Sequence, residues 1–190
     1  MVSSQRKQIL QITTLALFIG LIVIMTFIPN LGYIQVGTLS ITTLHIPVII
    51  GSALMGPLGG LVLGATWGIT SFIKVYTTVV NPIEFALFSN PFISIVPRIL
   101  VGLIVSYGYT LFKGINKPVI RHSLIALVGT LSNTILVLGA IGLFSNEILF
   151  PMNATVSVII ITILSTNGLV EIISAMILVP AILVRLSKRF

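Results

Sequence analysis

Long apolar segments alternate with short polar or proline- and glycine-containing segments along the whole chain. A helix needs about 20 apolar residues to cross the hydrocarbon core of a bilayer. The pattern predicts six such helices, near residues 8–29, 38–55, 57–75, 91–113, 119–143 and 154–186. The second is short and the sixth is long, which indicates tilt or an interrupted helix. We therefore expect an all-α integral membrane protein, a six-transmembrane-helix bundle that forms a single domain over residues 1–190.

The composition and the placement of charge support this prediction and also predict how the chain is oriented in the membrane. Only 7% of the 190 residues are charged, against about 25% in soluble proteins. Eight of the ten basic residues flank the predicted helices on one side: Arg6, Lys7, Lys113, Lys117, Arg121, Arg185, Lys188 and Arg189. Because basic residues concentrate in cytoplasmic loops, we expect both termini in the cytoplasm and the chain in the cell membrane as a multi-pass protein.

The net charge of +7 therefore reports orientation, and the absence of a soluble basic domain argues against nucleic-acid binding. The chain has no cysteine and only three carboxylates, Glu84, Glu147 and Glu171, with no two close in sequence. It contains no Walker, HExxH or GxSxG motif. We expect no enzymatic activity, no metal and no cofactor. If the chain drives uphill transport, the energy must come from elsewhere.

The longest interrupted segments, residues 29–40, 76–91 and 144–153, all fall on the predicted outer face. By contrast, Gly56 and Pro57 predict a minimal turn on the inner face. Loops concentrated at one mouth favour a lid over a pocket that opens outward. Tyr33 lies in the first of these loops, where it either closes over a ligand or anchors the chain at the membrane interface.

Polar side chains inside the predicted helices are the candidate binding residues. Arg98 interrupts an apolar helix, where a charge that faced lipid would cost several kcal/mol, so we expect it to face a protected interior. It either binds a ligand or pairs with Glu171 or with helix-end carbonyls. From the helical rise, Arg98, Asn133 and Asn167 converge in the outer half of the bundle, and Glu171 lies deeper. The two asparagines either bind ligand or join helices, and His45 is a weaker candidate.

Small residues recur at four-residue spacing on two helices. Gly60, Gly64 and Gly68 share one face of the third predicted helix, and Ala16 and Gly20 share one face of the first. Such faces allow close approach of another helix, either within the chain or from a partner. For the third helix we favour packing within the chain.

The chain resembles the substrate-binding S components of energy-coupling factor (ECF) vitamin transporters. The resemblance rests on the six short crossings and on three segments: Phe27-Ile-Pro-Asn-Leu-Gly32, Thr42-Thr-Leu-His-Ile-Pro-Val-Ile-Ile-Gly51 and Asn90-Pro-Phe-Ile-Ser-Ile-Val-Pro-Arg-Ile-Leu-Val-Gly102. It implies a membrane subunit that captures a vitamin outside the cell and works with a transmembrane coupling protein and two cytoplasmic ATPases. It also implies docking through Ala16 and Gly20, which stand as AxxxG where the family commonly has AxxxA.

The quoted segments are most similar to the pantothenate, hydroxymethylpyrimidine and pyridoxine groups of that family. Pantothenate is the first expectation, because its carboxylate would be neutralised by Arg98. A neutral pyrimidine or pyridine would depend on Asn133, Asn167, His45 and aromatic stacking instead. Three other functions stay open at this point: a self-sufficient secondary carrier, an intramembrane enzyme and a structural membrane subunit.

Overall fold

A computed structural model of the protein describes residues 4–36, 39–145, 158 and 168–187. Five of the described helical segments are long and apolar enough to cross a membrane. The elements in chain order are α1 (Ser4–Phe27), β1 (Tyr33–Val36), β2 (Leu39–Thr42), α2 (His45–Thr77), α3 (Pro82–Phe88), α4 (Pro91–Ser94), α5 (Val96–Leu111), a 3-10 turn (Phe112–Gly114), α6 (Pro118–Phe144) and α7 (Leu169–Leu186).

Helix α2 reverses its direction at Gly56, so its two segments, 45–55 and 57–77, lie side by side. Gly56 has φ 73° and ψ −168°, a left-handed conformation that suits glycine, and Pro57 follows it. A Cβ atom added to Gly51 would lie 2.3 Å from Leu63 Cδ1, whereas twelve residues of straight helix span about 18 Å. The turn predicted at Gly56 and Pro57 is therefore present. The number of membrane crossings and the side of the termini stay predictions.

The segment before α2 differs from the prediction, because a β-hairpin replaces the start of the second predicted helix. Strands β1 and β2 pair antiparallel, with Tyr33 opposite Thr42 and Ile34 opposite Ile41, and α2 begins only at His45 instead of residue 38. Apolar content alone predicted helix here, but alternating β-branched and aromatic residues favour a strand. The fold is therefore helical with one small hairpin.

Two other predicted helices also differ from the structure. The fourth is divided at Ile95 into α4 and α5, and Pro97 lies in the first turn of α5, where a missing N–H costs little. The sixth, predicted over 154–186, is described as α7 from Leu169 onward; the remainder of that prediction lies almost wholly outside the described residues.

Glycines bring the second segment of α2 into direct backbone contact with α5. A Cβ atom added to Gly60 would lie 2.3 Å from the Gly102 carbonyl oxygen, and one added to Gly64 would lie 2.3 Å from the Arg98 carbonyl oxygen. A Cβ atom added to Gly68 would lie 2.7 Å from Ile95 Cα. We call this line of four glycines (Gly60, Gly64, Gly68, Gly102) the glycine contact. It fixes the backbone of Arg98 directly against α2.

The remaining helices enclose this pair unequally. Side chains of α1 such as Ile9, Ile12 and Leu17 are 64%, 67% and 68% exposed, as expected for a helix that faces lipid. The apolar core lies between α2, α5, α6 and α7, and its fully buried members include Ile49, Leu63, Trp67, Val101, Val105, Ile125 and Leu183.

Candidate ligand-binding site

A polar cavity lies between the β-hairpin, α3, α5, α6 and the start of α7, and we call it the Arg98 cavity. Its volume is about 80 Å³. The described residues that line it are Tyr33, Ser40, Thr42, Glu84, Phe88, Arg98, Asn133, Thr134, Val137, Leu138, Gly168 and Glu171. Polar side chains from several elements and an apolar patch on α6 thus face one space, which is the usual composition of a small-molecule site.

Arg98 is the cation in the wall of this cavity. It is 5% exposed, and its Nη1 donates a hydrogen bond of 2.6 Å to the Ile93 carbonyl oxygen on α4. Its guanidinium carbon lies 4.9 Å from the ring centroid of Phe88 and 5.4 Å from that of Trp67. Two aromatic faces and one carbonyl therefore hold the group in place. In the described part of the chain, Nε has no hydrogen-bond partner and no carboxylate lies within 4.0 Å of the guanidinium.

The two carboxylates of the cavity are engaged elsewhere. Glu84 accepts hydrogen bonds of 3.3 Å from the Ser40 hydroxyl, and its Oε1 lies 3.9 Å from Lys74 Nζ. Glu171 Oε1 accepts a 2.8 Å hydrogen bond from the backbone N–H of Thr42. Both carboxylates thus fasten the hairpin strand β2, one to α3 and one to α7. The charge of Arg98 is left facing the cavity.

Tyr33 closes the cavity on the side of the hairpin. Its hydroxyl is hydrogen-bonded to the Ser71 hydroxyl on α2, and Lys74 Nζ lies 4.1 Å from its ring centroid. Burial of the hydroxyl raises the pKa of Tyr33 above its ordinary value of 10.0, although the positive charge of Arg98 acts in the opposite direction. Tyr33 therefore stays neutral at physiological pH and can donate a hydrogen bond.

Asn133 presents an acceptor that the described part of the protein does not use. The residue is 6% exposed, and its Oδ1 has no hydrogen-bond partner among the described residues. A buried acceptor without a partner costs about 1–3 kcal/mol, so such a group in a cavity wall suits a donor on a ligand.

The structure brings together four of the six predicted binding residues: Tyr33, Arg98, Asn133 and Glu171. His45 is fully buried at the start of α2 and is absent from the described lining. Asn167 lies outside the described residues. The alternative pairing of Arg98 with Glu171 is not found in the described structure, where Arg98 contacts a helix-end carbonyl instead.

The depth of Glu171 relative to Asn167 stays a prediction, because Asn167 lies outside the described residues. Glu171 lines the Arg98 cavity and accepts a hydrogen bond from β2. Sequence reasoning missed Ser40, Thr42 and the pair Lys74–Glu84 as parts of the site. A signal for that pair exists, because two opposite charges stand ten residues apart in a chain with few charges.

The two residues predicted to dock a partner lie on α1, away from the cavity. Ala16 is exposed, and a Cβ atom added to Gly20 would meet nothing within 4 Å. This position on α1 is therefore open in the described structure, unlike Gly60, Gly64 and Gly68 of α2.

Comparisons with known proteins agree with this architecture. A family model described as "ECF transporter, substrate-specific component" matches residues 10–183. The chain is 36% identical to the pantothenic acid transporter PanT of Lactococcus lactis subsp. cremoris over 195 aligned positions, which cover 93% of each chain. It is 31% identical to the pantothenate transporter PanT of Leuconostoc mesenteroides subsp. mesenteroides over 192 positions, which cover 95% of this chain and 92% of the relative.

The family match and the five apolar helices support a multi-pass protein of the cell membrane. They point to a non-enzymatic transport subunit that takes part in vitamin uptake together with an energy-coupling module. The match covers most of the chain and includes every element of the Arg98 cavity. The protein therefore belongs to the family of substrate-specific (S) components of ECF transporters.

Proposed function

We propose that the protein captures pantothenate in the Arg98 cavity. The observation that carries the proposal is the buried guanidinium of Arg98, which faces a polar cavity and has no carboxylate within 4.0 Å in the described structure. A carboxylate on the ligand would supply that missing anion and form charge-assisted hydrogen bonds. The names of the two relatives, both pantothenate transporters, support the same ligand.

The other lining residues would bind the uncharged part of pantothenate. Asn133 Oδ1 would accept a hydrogen bond from a hydroxyl or amide N–H of the ligand, and Val137 and Leu138 would pack against its methyl groups. Tyr33 would cover the ligand from the hairpin. Glu171 and Ser40 would act on the ligand indirectly, by holding β2 in place.

We further propose that transport is driven by ATP, through a transmembrane coupling protein and two cytoplasmic ATPases. The absence of any nucleotide-binding motif in this chain supports a separate energy source. The cavity would face outward, with both termini in the cytoplasm. Ala16 and Gly20 would dock the coupling protein, which the open space beside Gly20 supports. Rotation of the whole subunit in the bilayer would then release the vitamin inside.

A ligand pair that differs in one group tests the role of Arg98. Pantothenol has the pantothenate skeleton with an alcohol in place of the carboxylate. We expect the purified protein to bind pantothenate more tightly than pantothenol in isothermal titration calorimetry. Arg98→Met should weaken pantothenate binding by about 1.5–3 kcal/mol, roughly ten- to hundredfold in Kd, because a desolvated ionic hydrogen bond is lost. Its effect on pantothenol should be much smaller.

Two outcomes would contradict the proposal. If Arg98→Met weakened the binding of pantothenate and pantothenol equally, Arg98 would not be the residue that binds the carboxylate. If the protein bound a neutral-ring vitamin such as hydroxymethylpyrimidine or pyridoxine tightly and did not bind pantothenate, that vitamin would be the substrate instead. Native mass spectrometry of the detergent-purified protein, by identifying a co-purified metabolite, would separate these two cases.

A further inference from the structure

A second cavity lies between the end of α1 and the end of α2, and we call it the Lys74 cavity. Its volume is about 360 Å³, against about 80 Å³ for the Arg98 cavity. The described residues that line it are Thr26, Phe27, Ile28, Pro29, Asn30, Tyr33, Lys74, Thr78 and Val79. Nothing in the proposed function uses this space.

A small gap shares lining residues with both cavities. It is lined by Tyr33, Ser71, Lys74, Val75, Glu84, Phe88 and Arg98, so its walls include the cation of each cavity. Its volume is about 10 Å³, at the lower limit of the about 10–15 Å³ that one water molecule needs. The gap is therefore closed to a ligand in this conformation. Tyr33 lines all three spaces, and its hydrogen bond to Ser71 holds it in the closed position.

Three charges stand in order along this route. Lys74 faces the Lys74 cavity, Glu84 stands beside it at 3.9 Å, and Arg98 follows in the inner cavity. The Lys74 side chain is 13% exposed and lines both the Lys74 cavity and the gap. At 3.9 Å the contact with Glu84 is longer than a charge-assisted hydrogen bond of about 2.7–2.9 Å. A ligand carboxylate can therefore compete with Glu84 for Lys74.

On the basis of the function proposed above, we infer that the Lys74 cavity is the outer vestibule through which a carboxylate ligand reaches Arg98. Lys74 attracts and first binds the carboxylate, in competition with Glu84. Tyr33 then leaves Ser71, the gap opens, and the carboxylate passes to Arg98. Lys74 is thus a residue that sets the association rate for anionic ligands, whereas Arg98 sets the final affinity.

Stopped-flow association measurements at low ionic strength test this assignment. Lys74→Met should lower the association rate constant of pantothenate about tenfold and weaken its dependence on salt, because electrostatic steering is lost. Glu84→Gln should raise that rate constant, because the competing anion is removed. The association rate of pantothenol should change little in either variant. Lys113→Met, which removes an exposed lysine remote from both cavities, is the matched control and should behave as the wild type.

The opposite signs of the two variants distinguish a vestibule from a structural clamp. If the pair Lys74–Glu84 only fastens α2 to α3, both substitutions will change the rate in the same direction and will affect pantothenol equally, which would overturn the inference. The double variant Lys74→Met/Glu84→Gln removes both charges of this pair, so neither is left without the other, and it separates slow association from misfolding. Pantothenate binding with an unchanged rate in Lys74→Met overturns the vestibule alone. Absence of pantothenate binding by the wild type overturns the proposed function as well.

Discussion

The glycine contact and the Arg98 cavity use the same segment of α5 in opposite ways. On one side of this segment, the backbone of Arg98 and Gly102 touches Gly64 and Gly60 with no room for a methyl group. On the other side, the Arg98 side chain enters a cavity in which its Nε and Asn133 Oδ1 have no partner in the described structure. The face of α5 toward α2 is closely packed, and the opposite face borders a polar cavity.

The comparison indicates how a small membrane protein keeps a charge inside the bilayer. Helix association in lipid depends on close packing, because lipid tails are as apolar as the side chains they would replace. The glycine contact provides that packing and immobilises the backbone next to the site. The cavity then carries two polar atoms, Arg98 Nε and Asn133 Oδ1, that make no hydrogen bond in the described structure. We therefore expect substitutions on the two faces to have separate effects, on stability and on binding.

The largest expected effect comes from adding one methyl group to the glycine contact. In Gly64→Ala the new Cβ would lie 2.3 Å from the Arg98 carbonyl oxygen and 2.9 Å from Ile99 Cα. Both are backbone atoms, so the helices must separate, and we expect a loss of about 3 kcal/mol or more in stability. Thermal unfolding of the detergent-solubilised protein, followed by size-exclusion chromatography, measures this loss.

Gly139→Ala is the matched control for that substitution, because a Cβ atom at Gly139 in α6 would meet nothing within 4 Å. Its melting temperature should equal or exceed that of the wild type, since alanine favours a helix over glycine by up to about 1 kcal/mol. Equal destabilisation by both alanines would mean that the close approach of α2 and α5 does not hold the fold together.

A smaller effect, of opposite sign, is expected on the cavity face. Replacing a buried ion pair with apolar side chains is often neutral or stabilising. Arg98 has no carboxylate within 4.0 Å in the described structure, so its replacement leaves no buried anion unpaired and removes the cost of burying the charge. Arg98→Met should therefore keep or raise the melting temperature of the ligand-free protein, while it abolishes the further rise that pantothenate produces in the wild type. A clear fall in the ligand-free melting temperature would instead assign Arg98 to the structural framework.

The smallest effect is expected at Ser106, which lies beside Gly60 at one end of the glycine contact. Its hydroxyl donates to the Gly102 carbonyl at 2.7 Å and lies 3.1 Å from the Gly56 carbonyl at the reversal of α2. Ser106→Ala should cost about 0.5–1.5 kcal/mol in stability and leave pantothenate affinity unchanged.

Ser174→Ala, whose hydroxyl bonds only to the Glu171 carbonyl of its own helix among the described contacts, is the control for that experiment. It should cost less than Ser106→Ala in the same thermal assay. A change in pantothenate affinity in Ser106→Ala would show that the two faces of α5 are coupled.

Local sequence predicted the parts of the fold that depend on apolar composition and on glycine or proline residues that interrupt helices. Apolar length predicted the spanning helices, and Gly56 with Pro57 predicted the reversal of α2, because both signals are contained in consecutive residues. The hairpin of β1 and β2 was missed for the complementary reason. Its two strands are adjacent in sequence, but the carboxylates Glu84 and Glu171 that hold β2 are distant along the chain.

For the site, the cost of a charge in lipid was sufficient to predict that Arg98 faces an interior, since that cost is a property of the residue and its apolar neighbours. Composition and the cost of burying polar groups thus determined the membrane class, most of the helix pattern and the interior position of Arg98. Only the tertiary structure decided that Glu171 binds β2, that Arg98 has no carboxylate partner among the described residues, and that Lys74 and Tyr33 line two cavities. These are matters of distance between remote segments, which helix packing sets and no local pattern encodes.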